Sequence, residues 1–220
     1  MVNRDKPIEE KFRDDRKDYS LKELTDESAA LDPFTQFQRW YEAARSTGMA
    51  EPNAMTLATA SREGRPSART VLLKGFNTNA FEFYTNYQSR KGSELQENPF
   101  AALLFYWPDL ERQVRVEGQV EKMSPAESDA YFKIRPRGAQ VGASASPQSS
   151  VMRDRQALEA LYAAAEKELG EKSVPRPDYW GGYRLHADCI EFWQGRLNRM
   201  HDRIRYRKTQ EGWVRERLAP

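Results

Sequence analysis

Near the C-terminus, Arg199, His201, Arg203, Arg205 and Arg207 recur at every second position of the segment RMHDRIRYR. Side chains alternate between faces along a β-strand, so this spacing predicts five cations projecting from one side. The upstream segment IEFWQG reads as a partner strand carrying Trp193, with Gly195, Arg196, Leu197 and Asn198 as the turn. A row of guanidinium groups around one imidazole cannot face an apolar core, because buried charge without a partner is strongly unfavourable. The row faces either water, as a solvated edge strand, or an anionic ligand.

Other parts of the chain carry residues of the same chemical type. Arg69 and Lys74 bracket the apolar run Thr70, Val71, Leu72 and Leu73. Tyr84 and Thr85 precede Ser89-Arg90-Lys91, which places basic side chains at the start of a predicted helix, where backbone N–H groups and the helix dipole already favour an anion. Gln148 and Ser149 are small donors in a segment read as a flexible loop, Tyr131 and Arg135 lie four residues apart around a helix end, and Gln113 sits on a strand. Each has an ordinary surface reading by itself. Together with Trp193, and without paired catalytic carboxylates, they point to a protein that holds phosphorylated aromatic ligands. A GxSxG elbow, a GxGxxG fingerprint and a P-loop are all missing from the sequence.

These residues need elements to position them. Asp32-Pro33 caps a helix whose apolar stripe is Phe34, Phe37, Trp40, Tyr41 and Ala44, with Gly48 as its stop. The period then changes to two in AMTLATA, SARTVLL, FEFYTN and RQVRVEGQVEKM, while FAALLFYW reads as a buried strand. SRKGSELQEN predicts a short helix, Ser124 to Glu127 forms a capping box opening another, and Arg153 to Leu169 predicts a third, ended by Gly170. Residues 135–150 show no periodicity. GGYRL, CIEFWQG, the cationic strand and GWVRERL follow. The fold class is α+β, mainly antiparallel β, with about seven strands able to close into a barrel and helices packed outside. Residues 1–30 are expected to be a mobile N-terminal arm and residues 31–220 a single domain.

Bulk properties narrow the function. The 220 residues carry 35 basic and 33 acidic side chains, and this balance argues against a nucleic-acid partner. One cysteine, Cys189, and two histidines, His186 and His201, leave no set for a disulfide or a metal site. The charged N-terminus is unlike a signal peptide, and the longest apolar run, Phe100 to Trp107, is too short to span a bilayer, so a cytoplasmic protein without a membrane partner is expected.

From Arg16 to Pro220 the chain resembles the pyridoxine/pyridoxamine 5′-phosphate oxidase family. The resemblance rests on RTVLLKGF, FYTNYQSRKGSEL, RQVRVEG, YFKIRPRGAQVGA, PQSS, WGGYRL, EFWQG, NRMHDR and ERLAP. It implies an FMN-binding split β-barrel with peripheral helices, a homodimer with FMN at the subunit interface. It also implies oxidation of pyridoxine 5′-phosphate and pyridoxamine 5′-phosphate to pyridoxal 5′-phosphate, by hydride transfer from C4′ to flavin N5, with O2 as acceptor and H2O2 as product. By this resemblance Arg69, Thr70, Val71, Leu72, Lys74, Tyr84, Thr85, Arg90 and Lys91 hold FMN, with Gln148 and Ser149 from the other subunit. Gln113, Trp193 and Arg203 line the flavin ring. Lys74, Tyr131, Arg135 and the position of Ala139, where many members carry Ser, take the substrate phosphate. Arg199 and His201 are the catalytic pair over the pyridine ring, and Arg16 and Tyr19 in the arm act as a lid. The competing readings are a split-barrel flavin oxidase for another substrate, such as a phenazine-pathway enzyme, which would lose Lys74, Tyr131 and Arg135; a non-catalytic flavin or pyridoxal phosphate binder; and a nucleic-acid-binding barrel.

Overall fold

The computed structural model describes residues 18–220; Arg16 lies outside them. Nine strands form one antiparallel sheet: β1 (Ala54–Ala60), β2 (Pro66–Leu72), β3 (Gly75–Phe76), β4 (Ala80–Asn86), β5 (Phe100–Trp107), β6 (Arg112–Lys122), β7 (Trp180–Gln194), β8 (Asp202–Thr209) and β9 (Gly212–Leu218). The order is β2-β1-β5-β6-β7-β4-β3, with β8 and β9 continuing from β7. GGYRL and CIEFWQG are thus one 15-residue strand. Its first half pairs with β4 and its second half with β8, while β6 runs along its other edge. This forked strand curls the sheet into a half-barrel.

Five α-helices accompany the sheet: α1 (Pro33–Ser46), α2 (Arg90–Glu97), α3 (Pro125–Lys133), α4 (Arg137–Ala145) and α5 (Arg155–Leu169). α1 begins at the predicted cap, where Asp32 accepts from the Thr35 N–H. Its stripe fills the concave side of the sheet: Phe37 is fully buried, with ring centroids 4.9 Å from Phe81 and 5.1 Å from Phe105, and Trp40 packs 5.3 Å from Phe192. Burial of these rings by one helix and the inner sheet face is the dominant stabilising term.

Four expectations change. First, residues 137–145 form α4 rather than loop. Only Val141 of this helix is buried, so no apolar stripe marks it in the sequence. Tertiary bonds hold it, from Gln140 Nε2 to the Phe132 carbonyl (2.8 Å) and from the Tyr179 hydroxyl to the Ser144 carbonyl (2.8 Å). Second, β5 is buried on one face only, with Phe100 and Tyr106 exposed on the other. Third, residues 18–30 are strapped to the sheet instead of lying free. Leu24, Ala29 and Ala30 are buried, and Glu111 Oε2 accepts from the N–H groups of Ser20 (2.9 Å) and Leu21 (3.1 Å). Fourth, the cationic strand starts only at Asp202, because Asn198 (φ 54°) and Arg199 (φ 58°) are left-handed and close a tight corner.

A register shift between Glu117 and Gly118 bends β6. A Cβ at Gly118 would lie 2.0 Å from the His186 carbonyl oxygen, and backbone cannot give way there. Gly118→Ala is expected to lower stability by about 1–3 kcal/mol, read as a shift in the denaturant midpoint.

Candidate active site

The loop-to-helix step after β4 places the first cations. Ser89 caps α2 by accepting from the Gly92 N–H, and the first turn contains Arg90 and Lys91 but no acidic residue. Lys91 is 9% exposed; its Nζ donates to Thr85 Oγ1 (3.1 Å), Ser89 Oγ (3.1 Å) and Gln148 Oε1 (3.2 Å). None of these partners carries charge. Burial, reinforced by the neighbouring Arg69, pulls the Lys91 pKa down to about 8 despite the nearby Glu94. Gln148 reaches this lysine from its own chain, whereas the resemblance implied the other subunit.

Glu94 was not anticipated. It is buried, and accepts from Thr59 Oγ1 (2.5 Å), Ser67 Oγ (2.6 Å) and Arg90 Nε (2.9 Å), with Arg69 Nη2 at 3.4 Å. Burial alone would raise its carboxyl, but the hydrogen bonds from Ser67, Thr59 and Arg90 outweigh it and hold the pKa near about 2. Arg69 is fixed further by Thr59, Ser67 and the Leu57 carbonyl. The signal available in sequence was the i,i+4 spacing of Arg90 and Glu94.

A second group comes from β4, α3, the turn that follows α3 and the start of β7. Tyr84 and Tyr131 stack at 3.8 Å between centroids, and Trp180 is parallel to both. The Arg135 guanidinium sits 4.4 Å over the Trp180 ring. Its Nη1 is buried and has no hydrogen-bond partner among the described residues. Both groups open into one cavity of about 1040 Å³, lined by Arg69, Thr70, Val71, Leu72, Lys74, Tyr84, Thr85, Arg90, Lys91, Tyr131, Arg135, Ala139, Gln148, Ser149 and Trp180 among others. A buried lysine with neutral partners and a half-buried arginine with a buried open donor are what a dianionic ligand would satisfy. The cavity thus suits phosphorylated ligands.

Gln113, Trp193, Arg199, His201 and Arg203 do not line this cavity. Gln113, Trp193 and Arg203 stand opposite one another across β6, β7 and β8, so they share the outer sheet face. Trp193 and His201 lie 4.6 Å apart, and Tyr19 meets them edge-on at 5.6 Å and 5.7 Å. His201 Nδ1 accepts from the Arg196 N–H (3.1 Å), so the neutral ring carries its proton on Nε2. Burial and the adjacent Arg199 lower the His201 pKa, which keeps that neutral form at neutral pH. Arg203, Arg205 and Arg207 do share a face, but it looks at carboxylates. Arg203 is forked onto Glu191 (2.8 and 3.1 Å), and Arg205 and Arg207 both pair with Glu216.

A half-barrel with a large cationic cavity and an aromatic–imidazole cluster on its outer face defines a split-barrel protein for phosphorylated ligands. Comparison with known proteins narrows this. Residues 41–167 match the family model "Pyridoxamine 5′-phosphate oxidase", and residues 180–220 match "Pyridoxine 5′-phosphate oxidase C-terminal dimerisation region". The chain is 54% identical over 209 residues to the pyridoxine/pyridoxamine 5′-phosphate oxidase of Azotobacter vinelandii, covering 94% of this chain and 97% of the relative. It is 55% identical over 205 residues to that of Rubrobacter xylanophilus, covering 93% and 94%. Among solved structures, PhzG from Burkholderia lata, in complex with tetrahydrophenazine-1-carboxylic acid, superposes with a TM-score of 0.85 at 32% identity, covering 91% of this chain and all of that one. A pyridoxamine 5′-phosphate oxidase-related, FMN binding protein from Nostoc punctiforme has the same fold, with a TM-score of 0.71 at 20% identity over 87% of this chain and all of that one. The chain belongs to the pyridoxamine 5′-phosphate oxidase family. Its dimerisation region spans β7 to β9, and the protein is a homodimer. Among the described residues no helix is long and apolar enough to cross a membrane, and no group of three or more His, Cys, Asp or Glu could hold a metal ion.

Proposed function

We propose that this protein is an FMN-dependent oxidase that converts pyridoxine 5′-phosphate and pyridoxamine 5′-phosphate to pyridoxal 5′-phosphate, reducing O2 to H2O2, and that it works in the cytoplasm. The observation that carries the reading is the pairing, within one cavity, of two cations that make no ion pair among the described residues: Lys91, which is buried, and Arg135, which is half-buried with its Nη1 buried and unpartnered. Two phosphorylated ligands, cofactor and substrate, account for both.

Arg69, Arg90 and Lys91, with Thr85, Gln148 and Ser149, hold the FMN phosphate at the start of α2. Thr70, Val71, Leu72, Lys74 and Tyr84 line its ribityl path. Lys74, Tyr131 and Arg135 hold the substrate phosphate beside Ala139. When bound, FMN supplies the two-electron acceptor and passes those electrons to O2. Trp193 and Arg203 lie on the outer face of strands in the dimerisation region, Arg199 and His201 in the corner before β8, and Gln113 of β6 stands beside Trp193 on the same face. That placement supports a site at the subunit interface, in which one protomer's outer face closes its partner's cavity. There Arg199 orients the pyridine ring and offsets charge developing on it, His201 donates from Nε2, and Tyr19, packed on both rings of the cluster, shields it from water. Arg16 is assigned to the same lid by resemblance alone.

The test is spectroscopic. Purified protein should be yellow, and pyridoxine 5′-phosphate added without oxygen should bleach the flavin; a stable yellow colour under those conditions rules the oxidase reading out. At the substrate end, Ala139→Ser restores a hydroxyl beside Arg135. One added hydrogen bond of about 0.5–1.5 kcal/mol should lower KM for pyridoxine 5′-phosphate with kcat unchanged. An unchanged or raised KM contradicts that placement.

A further inference from the structure

We propose that Trp180 is a positioning residue for the substrate phosphate, acting through Arg135; this rests on the reading above in which Arg135 binds that phosphate.

Trp180 is held rigidly. It opens β7 opposite Asn86 of β4, and its N–H donates to the Pro177 carbonyl at 2.9 Å. Its carbonyl accepts from Arg176 Nη1 at 2.6 Å, and Arg176 is tied to Asp129 of α3 at 2.6 Å. The indole is 6% exposed, parallel to Tyr84 and Tyr131 and met edge-on by Phe132 at 5.1 Å.

The way Arg135 is held differs from Arg203 in a manner that decides its chemistry. Arg203 gives its fork to Glu191, so its charge is neutralised and its in-plane donors are occupied. Arg135 makes no ion pair among the described residues and lies 4.4 Å over the Trp180 face and 5.5 Å from the Phe132 ring. An aromatic face attracts a guanidinium from above its plane, and indole does so best. It fixes the plane of the cation without consuming N–H groups, which leave the guanidinium within that plane. Nη1, buried and without a partner, is the donor left over. A carboxylate here would hold the arginine equally well but would repel a phosphate and compete for those donors. Trp180 therefore keeps Arg135 oriented and its donors open. The parallel Tyr84 and Tyr131 rings extend this platform toward the cluster around Lys91.

The experiment compares FMN-loaded Trp180→Leu, Trp180→Phe and Arg135→Ala, with pyridoxine 5′-phosphate and unphosphorylated pyridoxine as substrates and inorganic phosphate as inhibitor. Trp180→Leu should raise KM for the phosphorylated substrate about 10-fold with kcat within twofold, and should weaken inhibition by inorganic phosphate in parallel. Trp180→Phe should fall between it and the parent. Neither should alter kcat/KM for pyridoxine, and Trp180→Leu combined with Arg135→Ala should be no worse than Arg135→Ala alone. If Arg135→Ala raises KM and the Trp180 variants do not, or if they impair both substrates equally, the positioning role is overturned while the phosphate reading stands. If Arg135→Ala itself leaves KM unchanged, the phosphate reading fails. Should Trp180→Leu lose its flavin, the Phe variant decides, by a KM rise confined to the phosphorylated substrate.

Discussion

Arg199→Ala is expected to lower kcat by about 10²-fold while the protein stays yellow, with its FMN Kd within twofold of the parent. The corner holding Arg199 makes this a clean substitution. Its φ of 58° lies in the left-handed region, which any residue with a Cβ resists, so alanine bears the same backbone strain as arginine and only the guanidinium is lost. The side chain is exposed and makes no ion pair among the described residues, so removing it leaves no buried partner stranded. His201 is expected to keep its Arg196 bond and its Nε2 proton, since Arg199 contributes to its lowered pKa only in second place after burial. Stopped-flow reduction under anaerobic conditions and flavin fluorescence titration measure the two quantities separately. Loss of flavin instead of turnover would mean that Arg199 serves the cofactor.

The sequence made the strands and the capped helices legible because their signals are local. Asp32-Pro33, Ser89 and the Ser124–Glu127 box each appear as caps in the structure. Alternation in RQVRVEG likewise puts Val114 and Val116 inside and Gln113 and Arg115 outside. The counter-ions of the cationic row were hidden for a reason that no local pattern reveals. Glu191 comes from β7 and Glu216 from β9, and only the strand register brings them onto the arginine face. Arg205 and Arg207 remain partly exposed strand charges, now paired across strands with Glu216. The corner at Asn198 and Arg199 was hidden too, since a left-handed arginine is rare enough that a continuous strand is the better expectation. Conversely, Lys91 was read as a basic residue at a helix start, yet its burial follows from the packing of Thr85, Ser89 and Gln148 around it. Such a helix start gave the type of chemistry but not its depth.

Lys91→Met is expected to weaken FMN binding by about 10²-fold or more while making the apoprotein more stable at pH 7. Both effects have one cause. Lys91 sits among hydroxyl and amide oxygens with Arg69 as a like-charged neighbour, so keeping it charged without a ligand is costly, and its pKa falls from 10.5 to about 8. Between those values the unfolded chain holds more protons on this residue than the folded chain does. The lysine's contribution to apoprotein stability therefore rises with pH from about 8 to 10.5 and is least favourable below 8. Glu94, held at about 2, keeps its charge across this window, so the lysine is the group that moves. A phosphate monoester is already dianionic there, its second pKa being about 6, so FMN affinity of the parent should fall as pH rises past about 8. Methionine fills similar space without charge: its apoprotein should unfold at a higher denaturant midpoint at pH 7, lose the pH 8–10.5 rise, and bind FMN weakly and with little pH dependence. A variant that lost FMN and stability together would show that Lys91 is structural, and an FMN affinity flat across pH 8 in the parent would place the phosphate elsewhere.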